Sequence, residues 1–322
     1  MGKAAKIWMI VGAALIIVGA CIFVLAMALN KWDFQVFSTV KCEMNEYEIS
    51  DSFSDISINE KISDITILPS CDGKVRVVCF EESKAKHTVS VVDGVLKIDS
   101  TNTKEWYDYI SIGVNDSPKI TLYLPVGEYG KLNIDSTTGD ISVEQGMKFA
   151  EVNIGVNTAD INFGASVSGL LQIHTTTGDI ELDNITVGEL DIKTSTGDVD
   201  ATNVVCANDF NLVVSTGGSA LESVVCKSLI SKGGSGDISM ENVLASYKLD
   251  IERNTGDIEF TRCDASEVDM VTSTGCVRGS FIRDMMIFAN TDTGDINVPK
   301  STEGGRCEIT TDTGDIIITI AK

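Results

Sequence analysis

The hydrophobic pattern changes character once along this chain. Residues 7–29, IWMIVGAALIIVGACIFVLAMAL, are 23 positions without a charge. An unbroken apolar run of that length predicts a helix, and at ~1.5 Å rise per residue it spans a bilayer core of roughly 30 Å. From Phe34 onward, apolar and polar residues alternate at period two, in runs bounded by Gly, Asp, Asn and Thr. That pattern predicts many short, half-buried strands joined by tight turns.

The alternation is itself periodic. The tripeptide T-G-D, or a close variant, recurs ten times, with its central position at 139, 159 (an Ala), 178, 197, 217, 236, 256, 275, 294 and 314. Successive positions differ by either 19 or 20 throughout. Seven residues before this position all ten are apolar, from Leu132 and Val152 to Ile287 and Cys307. Two residues after it nine of ten are apolar, from Ile141 and Ile161 to Ile296 and Ile316, with Ser219 the exception. The parity of the apolar positions switches across the Gly, so a corner is predicted there, with Gly supplying the positive φ. Each repeat then reads as two short strands and two corners. One such coil cannot bury its own inner face, so the coils must stack, ~4.8 Å apart. The predicted fold is all-β: a β-solenoid of about ten coils of 19–20 residues, preceded by one N-terminal transmembrane helix.

Three segments follow: 1–33, a cytoplasmic tail and membrane anchor; 34–130, an irregular N-terminal β region; and 131–322, the TGD-repeat solenoid. The ladder is expected to start early, because the interval from Asp64 to Asp140 is 76, four times 19. Trp106, Tyr107 and Tyr109 form an aromatic group suited either to contacting a glycan or partner or to capping the first coil. The last strand, Ile316–Ile320, carries no visible polar cap, so self-association through that solenoid end is expected.

Two polar columns flank the corner. Thr or Ser precedes the Gly in all ten coils, and T-x-T pairs such as Thr175 and Thr177 bring ice binding to mind. Parity predicts instead that these Thr point to the core edge and form hydroxyl ladders. Asp follows the Gly in eight coils: Asp140, Asp160, Asp179, Asp198, Asp237, Asp257, Asp295 and Asp315. Asp bonding of turn amides explains the column without a ligand. Stacked carboxylates repel, however, and Ca²⁺, which prefers carboxylate and carbonyl oxygens, is the one cofactor this column suits.

Charge and cysteine narrow the class. The chain is formally −22; Lys3, Lys6, Lys31 and Asp33 fall in segment 1–33, which leaves −24 on the remainder. Nucleic-acid binding is excluded, since it rests on Lys and Arg neutralising phosphates. Lys3 and Lys6 ahead of the apolar run place the N-terminus in the cytoplasm and the rest outside, a single-pass protein of the cell membrane contacting lipid through residues 7–29. Ala26-Met27-Ala28 fits a signal-peptide cleavage site, and Val18-Gly19-Ala20-Cys21 a lipobox; both alternatives also export the chain. Cys206 and Cys226 each lie nine residues past their corner and should stack as neighbours, bridged or free. The cysteine spacings match no C-x-x-C metal pattern. Only two His occur, His87 and His174, and no nucleophile–His–Asp set is visible, so no enzymatic activity is expected.

The opening FSDISINEKISDITILPS, the later KITLYLPVGEYGKLNIDSTTGDISV and the iterated TGDI motif resemble the bacterial putative-adhesin family of β-strand repeat proteins. The resemblance covers about residues 50–322. It implies a membrane-associated β-solenoid without catalytic residues, serving adhesion or envelope interaction. The external position, the anchor and the acidic ladder point to cell-surface glycan, wall polymer or a membrane protein as partners. An accessory role in cell-envelope stress signalling is the alternative, and a polysaccharide-acting enzyme the remote one.

Overall fold

The computed structural model describes residues 2–32, 42–106 and 117–321. Tyr107 and Tyr109 lie outside the described residues; Trp106 is exposed. The apolar run forms a helix, Lys3–Leu29. Its C-terminus is closed by Asn30, whose Nδ2 donates to Ala26 O at 2.8 Å. Apolar side chains stand uncovered along most of it, Trp8, Leu15, Ile16 and Leu29 among them, while Met27 near its end is buried. Its length and composition suit both a membrane span and a signal sequence.

Beyond the helix, a coil consists of one longer and one shorter strand, the longer one broken at 207–208 in the Gly217 coil. The Gly139 coil pairs Glu128–Thr138 with Ile141–Val143; the Ala159 coil pairs Lys148–Thr158 with Ile161–Phe163. Neighbouring coils run parallel and in register. Leu132 sits on Val152, Val152 on Leu171 and Leu171 on Leu190, while Ile141 sits on Ile161 and Ile161 on Ile180. These columns are buried and form one continuous core along the stack.

The corner glycines have φ between +119° at Gly139 and +158° at Gly275. They are also crowded: a Cβ at Gly178 would lie 1.8 Å from Ala159 O in the coil beneath. Ala159 makes its own corner without a positive φ. The second corner falls six residues later, where Asn184, Asn203, Ser223, Asn242 and Arg262 all adopt φ of +53° to +56°. Asn tolerates this left-handed conformation, so the Asn at 184, 203 and 242 were its readable signal.

The stack begins before the first TGD motif. Strands Asp55–Asn59 and Asp64–Pro69 lie directly on the Gly139 coil, pairing Ile58 with Ile134 and Ile65 with Ile141. Val95–Asn102 and Lys119–Leu124 add one further layer outside them. Antiparallel strands then close this end: Val75–Glu82 on Lys119–Leu124, Cys42–Ile49 on Val75–Glu82, and Ala85–Val92 on Val95–Asn102.

The opposite end corrects the sequence expectation. Ile316–Ile320 is not the terminal strand. After Val277–Phe281 the chain skips one level to lay down Met285–Thr293 and Ile296–Asn297, then returns. The last segment, Gly305–Thr313 and Ile316–Ile320, inserts between. The return is tight: Gly304, at φ +97°, would place a Cβ 1.7 Å from Asp284 O. The outermost coil is therefore 285–297, and there Phe288 is 59% and Ile296 46% exposed.

The Thr columns need a second correction. Thr138, Thr177, Thr196 and their equivalents before the Gly are exposed, not at the core edge. The alternation breaks one residue before the Gly, because the chain has begun to turn. The inward hydroxyls belong to the position two earlier, Thr175, Thr194, Thr272 and Thr311. Thr175 and Thr194 donate to the carbonyls of Thr177 and Thr196, at 3.2 and 3.3 Å. T-x-T thus points one hydroxyl in and one out, which leaves no flat Thr face for ice.

Candidate functional site

Two polar constellations stand out on this scaffold. The first is the Asp column. Successive carboxylates accept the backbone N–H of the equivalent residue in the next coil: Asp140 N–H to Asp64 Oδ1 at 3.2 Å, Asp160 to Asp140 at 3.1 Å, Asp179 to Asp160 at 2.9 Å and Asp198 to Asp179 at 2.8 Å. The pattern continues from Asp257 N–H to Asp237 at 2.8 Å and from Asp295 N–H to Asp315 at 3.0 Å. The column thus starts at Asp64, as the sequence interval predicts. Where Cys276 replaces Asp, its Sγ accepts the Asp315 N–H at 3.5 Å. Gly218 donates to Asp198 Oδ1 at 2.6 Å but has no side chain to pass the pattern on.

One oxygen of each carboxylate except that of Asp295, in the outermost coil, is thereby committed to the backbone. Along the N-terminal half the column borders an open groove of about 580 Å³, lined by Asp64, Asp140, Asp160, Asp179, Glu181 and Asp200 with Lys119 at its edge. Partial burial and the charges of Asp198 and Asp179 hold the Asp200 carboxyl above its ordinary value. The structure brings Asp140, Asp160 and Asp179 onto this groove, with Asp198 next in the column, while Asp237, Asp257, Asp295 and Asp315 lie further along the stack.

The second constellation lies in the closed end, and no spacing in the sequence marks it. Strand Val75–Glu82 alternates Val77, Cys79 and Glu81 inward, so parity carries a carboxylate into the interior. His87 points inward from the adjoining strand Ala85–Val92, and Glu60 from the turn after Asp55–Asn59. His87 is clamped between the two acids: Nε2 lies 2.5 Å from Glu60 Oε2 and Nδ1 lies 2.6 Å from Glu81 Oε2. The His87 backbone N–H also donates to Glu81 Oε2 at 2.6 Å, and Asn45 Nδ2 donates to Glu81 Oε1 at 2.6 Å.

None of these three charged side chains is more than 3% exposed. Burial alone would lower the His87 pKa; hydrogen bonds with Cys79 and Glu60 outweigh it and raise it to about 10. Burial alone would raise that of Glu60; the His87 contact and the Lys61 and Ile62 amides bring it down to about 2. The resulting imidazolium donates from both nitrogens. A cleft of about 340 Å³ opens beside it, bounded by Glu60, Ser63, His87 and Lys104. Ser63 Oγ is buried there without a hydrogen-bond partner. The second histidine, His174, is exposed on the coil surface, 3.4 Å from Asp191 Oδ2.

Cys206 and Cys226 occupy adjacent coils one residue past the paired Val205 and Val225, and both are buried free thiols. Burial raises the Cys226 pKa to about 12, which makes it a poor nucleophile.

The chain is similar to several solved structures. A putative adhesin from Bacteroides fragilis is 16% identical, covering 87% of this chain and 97% of its own, with a TM-score of 0.42. A putative lipid binding protein from Parabacteroides distasonis is 18% identical over 74% and 94%, with a TM-score of 0.48. A putative adhesin from the same species is 13% identical over 87% and 98%, with a TM-score of 0.45. No curated protein matches the chain. The Toastrack DUF4097 model matches residues 53–208 and again 186–322, so together the two matches take in the whole solenoid and most of its closed end. The chain belongs to the Toastrack DUF4097 family.

Proposed function

We propose that this protein is a membrane-anchored, extracytoplasmic binding rod that acts at the cell envelope without catalysis. The observation that carries the reading is the difference between the two ends of the stack. The end joined to the helix is closed by antiparallel strands. The far end is a strand, Met285–Thr293, paired on one side among the described residues, with Phe288 and Ile296 uncovered. Twelve layers, the ten TGD coils and two before them, separate the ends by roughly 50 Å. An anchored rod of that length holds its free end clear of the lipid headgroups, where an open strand edge recruits a partner strand or apolar surface.

Crosslinking in intact cells, followed by capture of the tagged full chain, tests this reading. Recovery of wall polymer or external glycan supports adhesion. Recovery of one specific membrane protein points instead to an accessory signalling role. Recovery of the chain only from the cytoplasm would overturn both.

A further inference from the structure

We propose that the closed end of the solenoid is a zinc site with Cys79, Glu81 and His87 as ligands and Glu60 as the carboxylate that orients the imidazole. The Cys79 sulfur, a Glu81 oxygen and a His87 ring nitrogen lie within 4.8 Å of one another, and all three residues are buried. The set is mixed: one thiol, one carboxylate and one imidazole. That combination suits Zn²⁺ rather than Ca²⁺ or Mg²⁺, which take oxygen ligands alone.

The arrangement around His87 matches what a metal-binding histidine needs. Nδ1 faces Glu81, while Nε2 meets Glu60 Oε2 at 2.5 Å. Metal-ligating histidines commonly donate their other ring N–H to a carboxylate, which fixes the tautomer and raises ligand basicity. Glu60 comes from a different layer of the stack and serves that purpose here.

Zn²⁺ takes cysteine as the thiolate and histidine as the neutral imidazole, so metal binding at this site is coupled to proton release. Two ligands lie two residues apart on one face of Val75–Glu82 and the third on the strand of the same hairpin, so the metal would pin that hairpin over the end of the core. Sequence spacing hid this site because Cys79-x-Glu81 followed by His87 is no recognised metal motif, and Glu60 is distant in the chain.

The test uses the full chain in detergent, stripped with chelator and titrated with Co²⁺ and then Zn²⁺. The expected result is one equivalent of Co²⁺ giving a thiolate-to-cobalt charge-transfer band, displaced by Zn²⁺. Cys79→Ser removes the band, whereas Cys42→Ser and Cys71→Ser retain it, all with unchanged far-ultraviolet circular dichroism. Glu60→Gln weakens Zn²⁺ binding by roughly 10–100-fold. Absence of the band, or a band that survives Cys79→Ser, overturns the proposal. If Cys79→Ser fails to fold, zinc X-ray absorption on the native chain decides. A sulfur at ~2.3 Å with nitrogen and oxygen at ~2.0–2.2 Å supports the site, and a shell of oxygen alone rejects it.

Discussion

Gly233 leaves the space that Arg253 fills: a Cβ at Gly233 would lie 2.6 Å from Arg253 Cδ and 2.8 Å from its Cζ. The two residues face each other in adjacent coils, at the inward position that elsewhere holds Thr175, Thr194, Thr272 and Thr311. Arg253 is 2% exposed. Its Nη1 donates to Glu252 O at 3.0 Å and its Nη2 to Ser231 Oγ at 2.9 Å, and burial lowers its pKa to about 10. A cation has thus been built into an otherwise apolar and hydroxyl column by two compensating changes, Gly233 for volume and Ser231 for a partner.

Gly233→Ala should therefore overpack the site and destabilise the rod by about 1–3 kcal/mol. The double variant Gly233→Thr with Arg253→Thr restores the Thr ladder and should be at least as stable as the native chain, since removing a buried charge whole is commonly neutral or favourable. Urea unfolding of the three proteins checks this. A double variant less stable than Gly233→Ala would contradict the pairing.

The corner glycines are expected to be far less tolerant than an uncrowded strand glycine such as Gly155. Gly178→Ala combines φ of +132° with a Cβ 1.8 Å from Ala159 O, whereas Gly155→Ala meets nothing within 4 Å. Thermal unfolding should show a loss of at least ~2 kcal/mol for the first and under ~1 kcal/mol for the second.

The Asp column should respond to loss of its acceptor oxygen more than to loss of its charge. Asp179→Ala leaves the Asp198 N–H without its 2.8 Å acceptor and should cost about 1 kcal/mol. Asp179→Asn keeps an oxygen in place and relieves repulsion from its neighbours, so it should be neutral or stabilising, most visibly at low salt. Equal destabilisation by Ala and Asn would show that charge, and hence a bound cation, matters instead. Loss of thermal stability on adding chelator to the native chain but not to Asp179→Asn would point the same way.

In the metal-free chain, the Glu60–His87 pair should set a stability window in pH. Glu60 is held at about 2 against 4.5, so its contribution is complete above pH 4.5 and disappears as pH falls through about 2. His87 is held at about 10 against 6.5, so its contribution is complete below pH 6.5 and disappears as pH rises through about 10. The Tm gap between the native chain and Glu60→Gln, both in chelator, should be widest between pH 4.5 and 6.5 and close on either side. A gap independent of pH would contradict the pairing.

These residues also mark how far the sequence could be read. The columns through Leu132 and Ile141 were legible because a stacked coil repeats one burial pattern at a constant interval of 19 or 20. Order along the stack was not. The coils at Gly294 and Gly314 keep the usual spacing, yet they exchange places, because spacing fixes register and not which neighbour is chosen. The outward turn of Thr177 was hidden because parity holds only while the backbone stays extended. The His87 cluster was hidden because Glu60, Cys79, Glu81 and His87 fall outside the repeat, three of them on strands that pair antiparallel.

A rod that works through its free end should meet its partner there and not along its flank. Replacing single residues with a photocrosslinking amino acid in intact cells tests this most directly, with Phe288 at the free end compared with Thr196 on the side of the rod. The expected result is a discrete adduct from position 288 and none from position 196. Adducts from 196 alone, or from neither position, would contradict it.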